Sequence, residues 1–147
     1  MERSGNVKQT LMQIVDRKKQ AAKEQAQLAA TQIIVNASSG IGYEGDALKP
    51  YSAVYREMRL ARGYSPNVNL TLTGQMLRDV QADVVSKSAA HLKTRIYVAS
   101  GSSISPFDTQ GLAVASTEKA RYTNKTRPWF GLSQKARGNI IDNIKGA

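Results

Sequence analysis

The sequence predicts a single α+β domain over residues 1–147, with a long N-terminal helix, a small, mostly antiparallel β-sheet and a C-terminal helix packed on the sheet. Apolar residues recur at helical spacing through residues 1–36 and again after Ser133, which indicates the two helices. Between them, short runs alternate apolar and polar residues as half-buried strands do. A chain of 147 residues is long enough for one modest core.

Composition and charge narrow the class of protein. The hydrophobic share of 41% and the charged share of 22% are typical of a globular chain. Lysine and arginine number 21 against 11 acidic residues, a formal net charge of +10, and residues 117–137 hold six bases and one acid. This excess indicates a solvated basic face, a surface for nucleic acid or a surface for an acidic protein.

The first predicted element is a helix from Asn6 to about Asn36, a stretch without proline or glycine. One apolar stripe runs along it: Val7, Leu11, Val15, Ala22, Ala26, Ala29 and Ile33. At 1.5 Å per residue such a helix extends about 40–45 Å, which is more than a domain of this size can cover. Two interpretations stay open: the helix lies across its own sheet, or its N-terminal part projects and packs on a neighbouring subunit.

A glycine-rich loop follows at residues 36–52, with glycines at positions 40, 42 and 45. It lacks the Gly-Lys-Ser/Thr ending that would hold phosphate and magnesium, so we do not expect a nucleotide site here. Ser52 is predicted to cap a short helix that runs through Arg62, and Gly63 to end it.

The segment after this helix begins with Val68, Leu70 and Leu72, which alternate with polar residues. This pattern indicates either a short strand or an extended connection. Thr73 is then predicted to cap a turn of helix. The apolar residues of that turn are Met76, Leu77 and Val80.

Two strands are predicted at Ala82–Ser86 and Leu92–Ala99, and a third run, Leu112–Ala115, is short enough to pair back and complete the sheet. In the second strand one face carries Thr94, Ile96 and Val98, and the other carries Lys93, Arg95 and Tyr97. Residues 100–111 read as a polar loop or hairpin tip. A further helical piece is expected over residues 116–124, with Ser116 as its cap.

The last predicted element is a helix capped by Ser133, with Leu132 packing on its first turn. Its apolar stripe consists of Ala136, Ile140, Ile141 and Ile144. Trp129 and Phe130 are therefore left to pack elsewhere, and we expect them to close the core against the sheet and the long helix. Docking on a partner and stacking on a nucleic-acid base are the alternatives.

No constellation for catalysis emerges from the sequence. His91 is the only histidine and there is no cysteine, so a metal centre or a Ser–His pair has too few candidates. The carboxylates Asp79, Asp83 and Asp108 have no spacing that singles them out. We expect no enzymatic activity, no cofactor and no small-molecule substrate. A small basic nucleic-acid-binding protein with non-specific phosphate contacts stays the alternative, since bases interleave with Tyr122, Trp129 and Phe130.

Nothing in the sequence indicates a membrane partner. No apolar run approaches the roughly 18–20 residues that span a bilayer, and the first residues lack the apolar segment of a secretory signal. We therefore expect the protein to stay in the compartment where it is made.

Three stretches, "KPYSAVYREMRLARG" (49–63), "VNLTLTGQML" (68–77) and "RPWFGLSQKA" (127–136), follow one another in a characteristic order. Their shared elements are Pro50-Tyr51-Ser52 at a helix start, a Leu-x-x-Thr-Gly-x-x-Leu element with Thr73, Gly74 and Leu77, and the run Arg127, Pro128, Trp129, Phe130, Gly131, Leu132 and Ser133. Together these stretches resemble the small tail-completion, or neck, proteins of tailed bacteriophages, over roughly residues 45–145.

The resemblance implies a structural virion protein of the phage neck, made in the host cytoplasm, that joins the head to the tail. Such proteins belong to a stack of rings between the portal, the head-completion proteins and the tail terminator. A ring subunit needs lateral contacts with copies of itself. We expect these contacts on the exposed side of the N-terminal helix and in the 100–111 loop. The basic surface would meet DNA in the channel or acidic neighbours, and Arg127 is expected to pair bidentately with a carboxylate.

Overall fold

The computed structural model describes residues 3–71, 74–88, 91–104 and 113–147. Within these ranges the fold is mixed α+β, as the sequence predicts, and most of its regular structure is helical. The elements in chain order are α1 (Arg3–Ser38), α2 (Ala53–Ala61), α3 (Gln75–Arg78), β1 (Val80–Ser88), β2 (His91–Val98), β3 (Ser102–Ile104), β4 (Ala113–Ala115), α4 (Ser116–Thr126) and α5 (Gln134–Gly146).

Helix α1 is the longest of the described helices, and only its second half contributes buried side chains to the core. Its 36 residues extend about 54 Å at 1.5 Å per residue. From Ala22 onward one face is covered by β1, β2 and α5, and this face is built mostly of alanine. Because alanine carries only a methyl group, the backbones of neighbouring elements come close to α1 while little apolar area is buried per residue.

Strands β1 and β2 form an antiparallel hairpin that lies on α1. Val80 pairs with Val98 and Asp83 with Arg95, and the register shifts between Ser86 and Ser88. Along β2 the side chains alternate between exposed and half-buried up to Ile96. The two predicted strands and the face that carries Thr94, Ile96 and Val98 are thus confirmed. The period of two places the charged residues on the solvent side.

Two predictions about the sheet are wrong. The run before residue 116 does not join β1 and β2, since β4 pairs with β3 in a separate two-stranded ladder. Val80 does not belong to the helical turn, because α3 ends at Arg78 and Val80 is the first residue of β1. The described residues around Val68 pair with no strand, so the predicted strand is not formed, and the connection bends at Leu70 instead of being extended throughout. Tertiary pairing overrides the local pattern in such short runs.

The helix caps are confirmed at Ser52 and Ser133. The Oγ of Ser52 accepts from the backbone N–H of Tyr55 at 3.3 Å, and that of Ser133 accepts from Ala136 at 3.2 Å. The predicted cap at Ser116 is wrong, since this residue is the first of α4 and makes no side-chain cap. Its Oγ is buried and has no hydrogen-bond partner in the described part of the chain.

The core is compact and centres on Trp129, which is fully buried. The same core cluster contains side chains from α1, the glycine-rich loop, α3, β1 and α4: Ala30, Ile33, Ala37, Leu48, Met76, Leu77, Val80 and Ala120. Phe130 and Leu132 pack against this cluster from its edge. The prediction that Trp129 closes the core against the helix and the sheet is confirmed. In α5, by contrast, no described side chain is fully buried, and Ile141 of the predicted stripe is 51% exposed.

Candidate functional site

The segment 127–133, here called the aromatic segment, lies directly on the loop 39–52, here called the glycine loop. The backbone N–H of Tyr43 donates to the carbonyl of Pro128 at 3.2 Å. A Cβ atom added to Gly42 would come within 2.7 Å of that same carbonyl oxygen. A Cβ added to Gly131 would come within 3.0 Å of the Tyr43 ring. Gly42 is therefore required, because its neighbour is a backbone carbonyl, whereas a side chain at Gly131 would need the Tyr43 ring to move by a few tenths of an ångström.

Arg127 connects the aromatic segment to the residues before α2 through hydrogen bonds. Its Nε donates to the carbonyl of Lys49 at 2.7 Å and its Nη2 to that of Pro50 at 3.0 Å. Its guanidinium carbon also lies over the Tyr51 ring, 4.9 Å from the centroid. The predicted bidentate partner, a carboxylate, is wrong: the planar fork binds two successive backbone carbonyls instead. These carbonyls precede the capped helix α2, so Arg127 holds the aromatic segment against the chain that leads into this helix.

A second arginine, Arg59 of α2, lies over the same Tyr51 ring at 5.0 Å and is only 1% exposed. Its Nε donates to the carbonyl of Ser65 at 2.6 Å and its Nη2 to Asn69 Oδ1 at 3.2 Å. Its Nη1 has no hydrogen-bond partner among the described residues. The buried cation is thus stabilised by one backbone carbonyl, one side-chain amide and aromatic rings, as cation–π contacts allow.

Sequence reasoning missed this role of Arg59. Part of the signal was present, since Tyr55 and Arg59 are four residues apart and so lie on one side of α2, while Tyr51 precedes the helix. The guanidinium carbon lies 5.9 Å from the Tyr55 ring centroid and 5.8 Å from that of Tyr64. From the sequence alone, an arginine among tyrosines is predicted to be exposed, because arginine is rarely buried.

Asn124 is a further residue that the sequence analysis did not single out. Its Oδ1 accepts from the backbone N–H groups of both Trp129 and Phe130, each at 2.9 Å. The two rings meet edge to face, with centroids 5.3 Å apart. Asn124 therefore satisfies two donors that would otherwise be unpaired at the end of α4, and it places the Trp129 ring in the core.

The Leu-x-x-Thr-Gly-x-x-Leu element shapes the entry to α3. Leu70 has a φ of +50° and Gly74 a φ of +70°, both in the left-handed region. For Gly74 this conformation costs little, whereas for Leu70 it is uncommon. Leu77 is buried in the core, as the predicted helical turn requires. The predicted cap Thr73 lies outside the described residues, and Gly74 occupies the position before the helix.

Two helix faces carry exposed aliphatic side chains. On α1 they lie in residues 6–19, here called the front stretch, where Val7, Leu11 and Met12 are 57–61% exposed. On α2 they are Val54 at 69%, Met58 at 41% and Leu60 at 57%. Single exposed aliphatics are ordinary on a protein surface, but clusters of them mark interaction sites. The 105–111 part of the other predicted contact loop lies outside the described residues.

A cleft of about 320 Å³ opens between α1, β2 and α5. Apolar side chains such as Ile33, Ile96 and Leu132 line it, together with Arg137. Arg137 donates through Nε to the carbonyl of Leu132 at 3.0 Å, which holds its guanidinium close to the chain. Among the described residues, no three potential metal ligands lie together, and none of the helices carries the apolar stretch that a membrane span requires.

Comparisons of the chain with known protein families, characterised proteins and solved structures found no match.

Proposed function

We propose that this protein is a structural subunit of a bacteriophage neck, which assembles with copies of itself into a ring that joins the head to the tail. The observation that carries the proposal is the front stretch of α1. Its aliphatic side chains are exposed, and it continues a helix whose second half is firmly packed in the domain. A subunit with such an extension is suited to lateral contacts with identical neighbours.

The contact between the resembling stretches supports the same function. The stretches 49–63 and 127–136 are far apart in the chain, yet Arg127 joins them through Lys49 and Pro50. In the aromatic segment Trp129 fills the core and Gly131 admits the Tyr43 ring. Two of the three stretches on which the resemblance depends are thus in direct contact in this chain, which supports the proposal.

The proposed partners above and below the ring are the portal, the head-completion proteins or the tail terminator, and the proposed location is the neck of the virion. The formal charge of +10 would act in one of two ways there. It would face DNA that passes through the channel, or it would face acidic surfaces of the adjacent rings.

The proposal is tested by measuring the mass of the purified protein with size-exclusion chromatography and light scattering, and by imaging it with negative-stain electron microscopy. We expect a closed ring of identical subunits. The variant Leu11→Glu should dissociate it, because a charge placed in a buried apolar contact is costly. Leu28→Glu is the matched control, since Leu28 is 64% exposed on the packed half of α1.

A protein that stays monomeric at high concentration, with both variants indistinguishable from the parent, would contradict the ring. A ring that survives Leu11→Glu unchanged would show that the front stretch makes no subunit contact. Circular dichroism at equal concentration verifies that each variant has kept its helices, so that unfolding is not mistaken for dissociation.

A further inference from the structure

Strand β2 has an outer edge that no described strand covers. On its inner side β2 pairs with β1, and the N–H of Ala99 donates to the carbonyl of Asp79 at 2.7 Å just beyond this ladder. In an antiparallel pair, residues that are hydrogen-bonded to the partner strand alternate with residues whose N–H and C=O groups point away from it. Counted from Asp79 and Ala99, the outward groups of β2 include those of Thr94 and Ile96. Among the described residues these groups have no backbone partner, so the edge is a template for one more strand.

The cleft between α1, β2 and α5 lies beside this edge. The side chains of Thr94 and Ile96 line it, together with Ile33 of α1 and Ile140 of α5. Helix α5 packs on α1 next to the hairpin and bounds the cleft on the far side from β2. A strand added to β2 would place alternate side chains in the cleft and the others in solvent. Because α5 occupies the far side, the cleft has room for one extended segment and not for the edge of a second folded sheet.

The free charges around the cleft are basic. Arg137 is the charged side chain of its described lining, and beyond the Nε bond to a backbone carbonyl its two terminal amino groups have no described partner. Lys93, on the solvent side of β2, is exposed and has no ion pair in the described part of the chain, whereas Arg95 is already paired with Asp83. Asp142 of α5 follows Arg137 by five residues, so it lies on another side of that helix. A carboxylate in the cleft would therefore meet the guanidinium fork of Arg137 unopposed.

We propose that this cleft, here called the strand cleft, binds an extended segment of a different protein, which adds a strand to the outer edge of β2. The segment is apolar at the alternate positions that face Ile33 and Ile140, and it carries a carboxylate for Arg137. In this mode of recognition the main-chain hydrogen bonds supply affinity, and the pocket for alternate side chains supplies specificity. The described strands of this chain all belong to packed ladders, so a second copy offers no free strand there. The strand cleft is complete within one chain, so it does not require the proposed ring.

Synthetic peptides test the proposal. The probe is a fluorescein-labelled nonapeptide in which valine alternates with threonine and aspartate, and fluorescence anisotropy measures its binding to the full chain. We expect saturable binding, weakened at least about tenfold when lysine replaces aspartate, because a charge-assisted hydrogen bond is lost. Two further peptides are N-methylated on one or the other set of alternate amides. One set should abolish binding and the other should be tolerated, since only alternate amides of a strand face its neighbour.

Substitutions in the protein locate the contact. Thr94→Pro removes an outward N–H from β2 and leaves the ladder with β1 intact, because proline is tolerated where the N–H faces away from the partner strand. Val84→Pro is the matched control, since Val84 pairs with Thr94 and its outward N–H lies on the opposite edge of the hairpin. The first variant should bind the probe at least about tenfold more weakly, and the second should bind it as the parent does. Circular dichroism verifies that both are folded.

A variant on α5 tests the contact without changing the sheet. Arg137→Glu should reverse the preference, so that the lysine peptide binds more tightly than the aspartate probe. The proposal is overturned by a probe that does not saturate, by equal effects of the two methylated sets, or by binding that neither Thr94→Pro nor Arg137→Glu changes.

Hydrogen exchange identifies the source of the strand. The amides of Thr94 and Ile96 should exchange rapidly in the protein alone and become protected when the probe is added. Protection that increases with protein concentration in the absence of probe would mean that a second copy fills the cleft, which overturns the assignment to a different protein. Light scattering on the same samples separates the two proposals. A ring that does not bind the probe overturns the strand cleft alone, and a monomer that binds it overturns the ring alone.

Discussion

The buried guanidinium group of Arg59 lies 5.0 Å from the centroid of the Tyr51 ring. The guanidinium of Arg127 lies over the same ring, 4.9 Å from its centroid, so two cations contact one tyrosine ring. Tyr51 thereby connects α2, which carries Arg59, to the aromatic segment, which begins at Arg127. Removal of the Tyr51 ring should therefore weaken the packing of both Arg59 and Arg127.

Tyr51→Leu should lower the free energy of unfolding by about 1–3 kcal/mol, since each of two cation–π contacts contributes about 0.5–2 kcal/mol. Tyr51→Phe is the matched control, because it keeps the ring and loses only the hydroxyl, and it should cost less than about 1 kcal/mol. Urea denaturation of the three proteins measures the difference. Equal costs for both substitutions would show that the ring's interaction with the two arginines is not what stabilises this junction.

Trp129→Ala should destabilise the fold by about 3–5 kcal/mol, because it leaves a cavity in the centre of the core. Trp129 is fully buried, whereas Tyr122 on the neighbouring helix is 75% exposed. Tyr122→Ala should therefore change stability by less than about 0.5 kcal/mol. A cost below about 1 kcal/mol for Trp129→Ala in a urea melt would exclude the core role and favour docking on a partner.

Asn124→Ala should cost about 1–3 kcal/mol, because it removes the acceptor of two backbone N–H groups and leaves them unpaired. Asn124→Asp keeps an oxygen at the same place and should stay close to the parent protein. Thermal unfolding by circular dichroism distinguishes the two. If Asn124→Asp and Asn124→Ala are equally destabilising, the amide nitrogen of Asn124 has a role that these hydrogen bonds do not explain.

The exposed pair between Asp83 and Arg95 predicts a small pH dependence. The hydrogen bond from Arg95, followed by its positive charge, holds the pKa of the Asp83 carboxyl below its usual value. A lowered folded-state pKa contributes stability above the usual carboxyl pKa, and this stability is lost as the pH falls through the lowered one. An NMR titration should give a midpoint for Asp83 below 3.8 that rises towards 3.8 in Arg95→Ala. An unchanged midpoint in that variant would contradict the pairing.

Binding to DNA should be weak, independent of sequence and strongly salt-dependent. Trp129 is buried and Phe130 half-buried, so the stacking that the nucleic-acid alternative requires depends on Tyr122 in that segment. A titration with labelled single- and double-stranded 30-mers should show binding at about 50 mM salt that is largely lost at about 200 mM. Tight binding at the higher salt, reduced by Tyr122→Ala, would favour the nucleic-acid alternative over the neck proposal.

The elements with strong local signals were predictable from the sequence. The long helix, the caps at Ser52 and Ser133 and the alternation in β2 all depend on residues within a few positions of one another. A helical stripe, a hydroxyl that accepts from an N–H three residues on, and a period of two are local properties of the chain. Burial of Trp129 was also foreseeable, because Leu132 already occupies the staple position beside α5.

What the tertiary structure alone decided is which residues meet across long separations. Arg127 binds two carbonyls near Pro50 instead of a carboxylate, Arg59 is buried among tyrosines, and β4 pairs with β3 instead of extending the sheet. A planar guanidinium accepts many partners, and a three-residue strand has too little pattern to select one. These choices follow from how α1 and the glycine loop bring the chain together, and that geometry is absent from any single stretch of sequence.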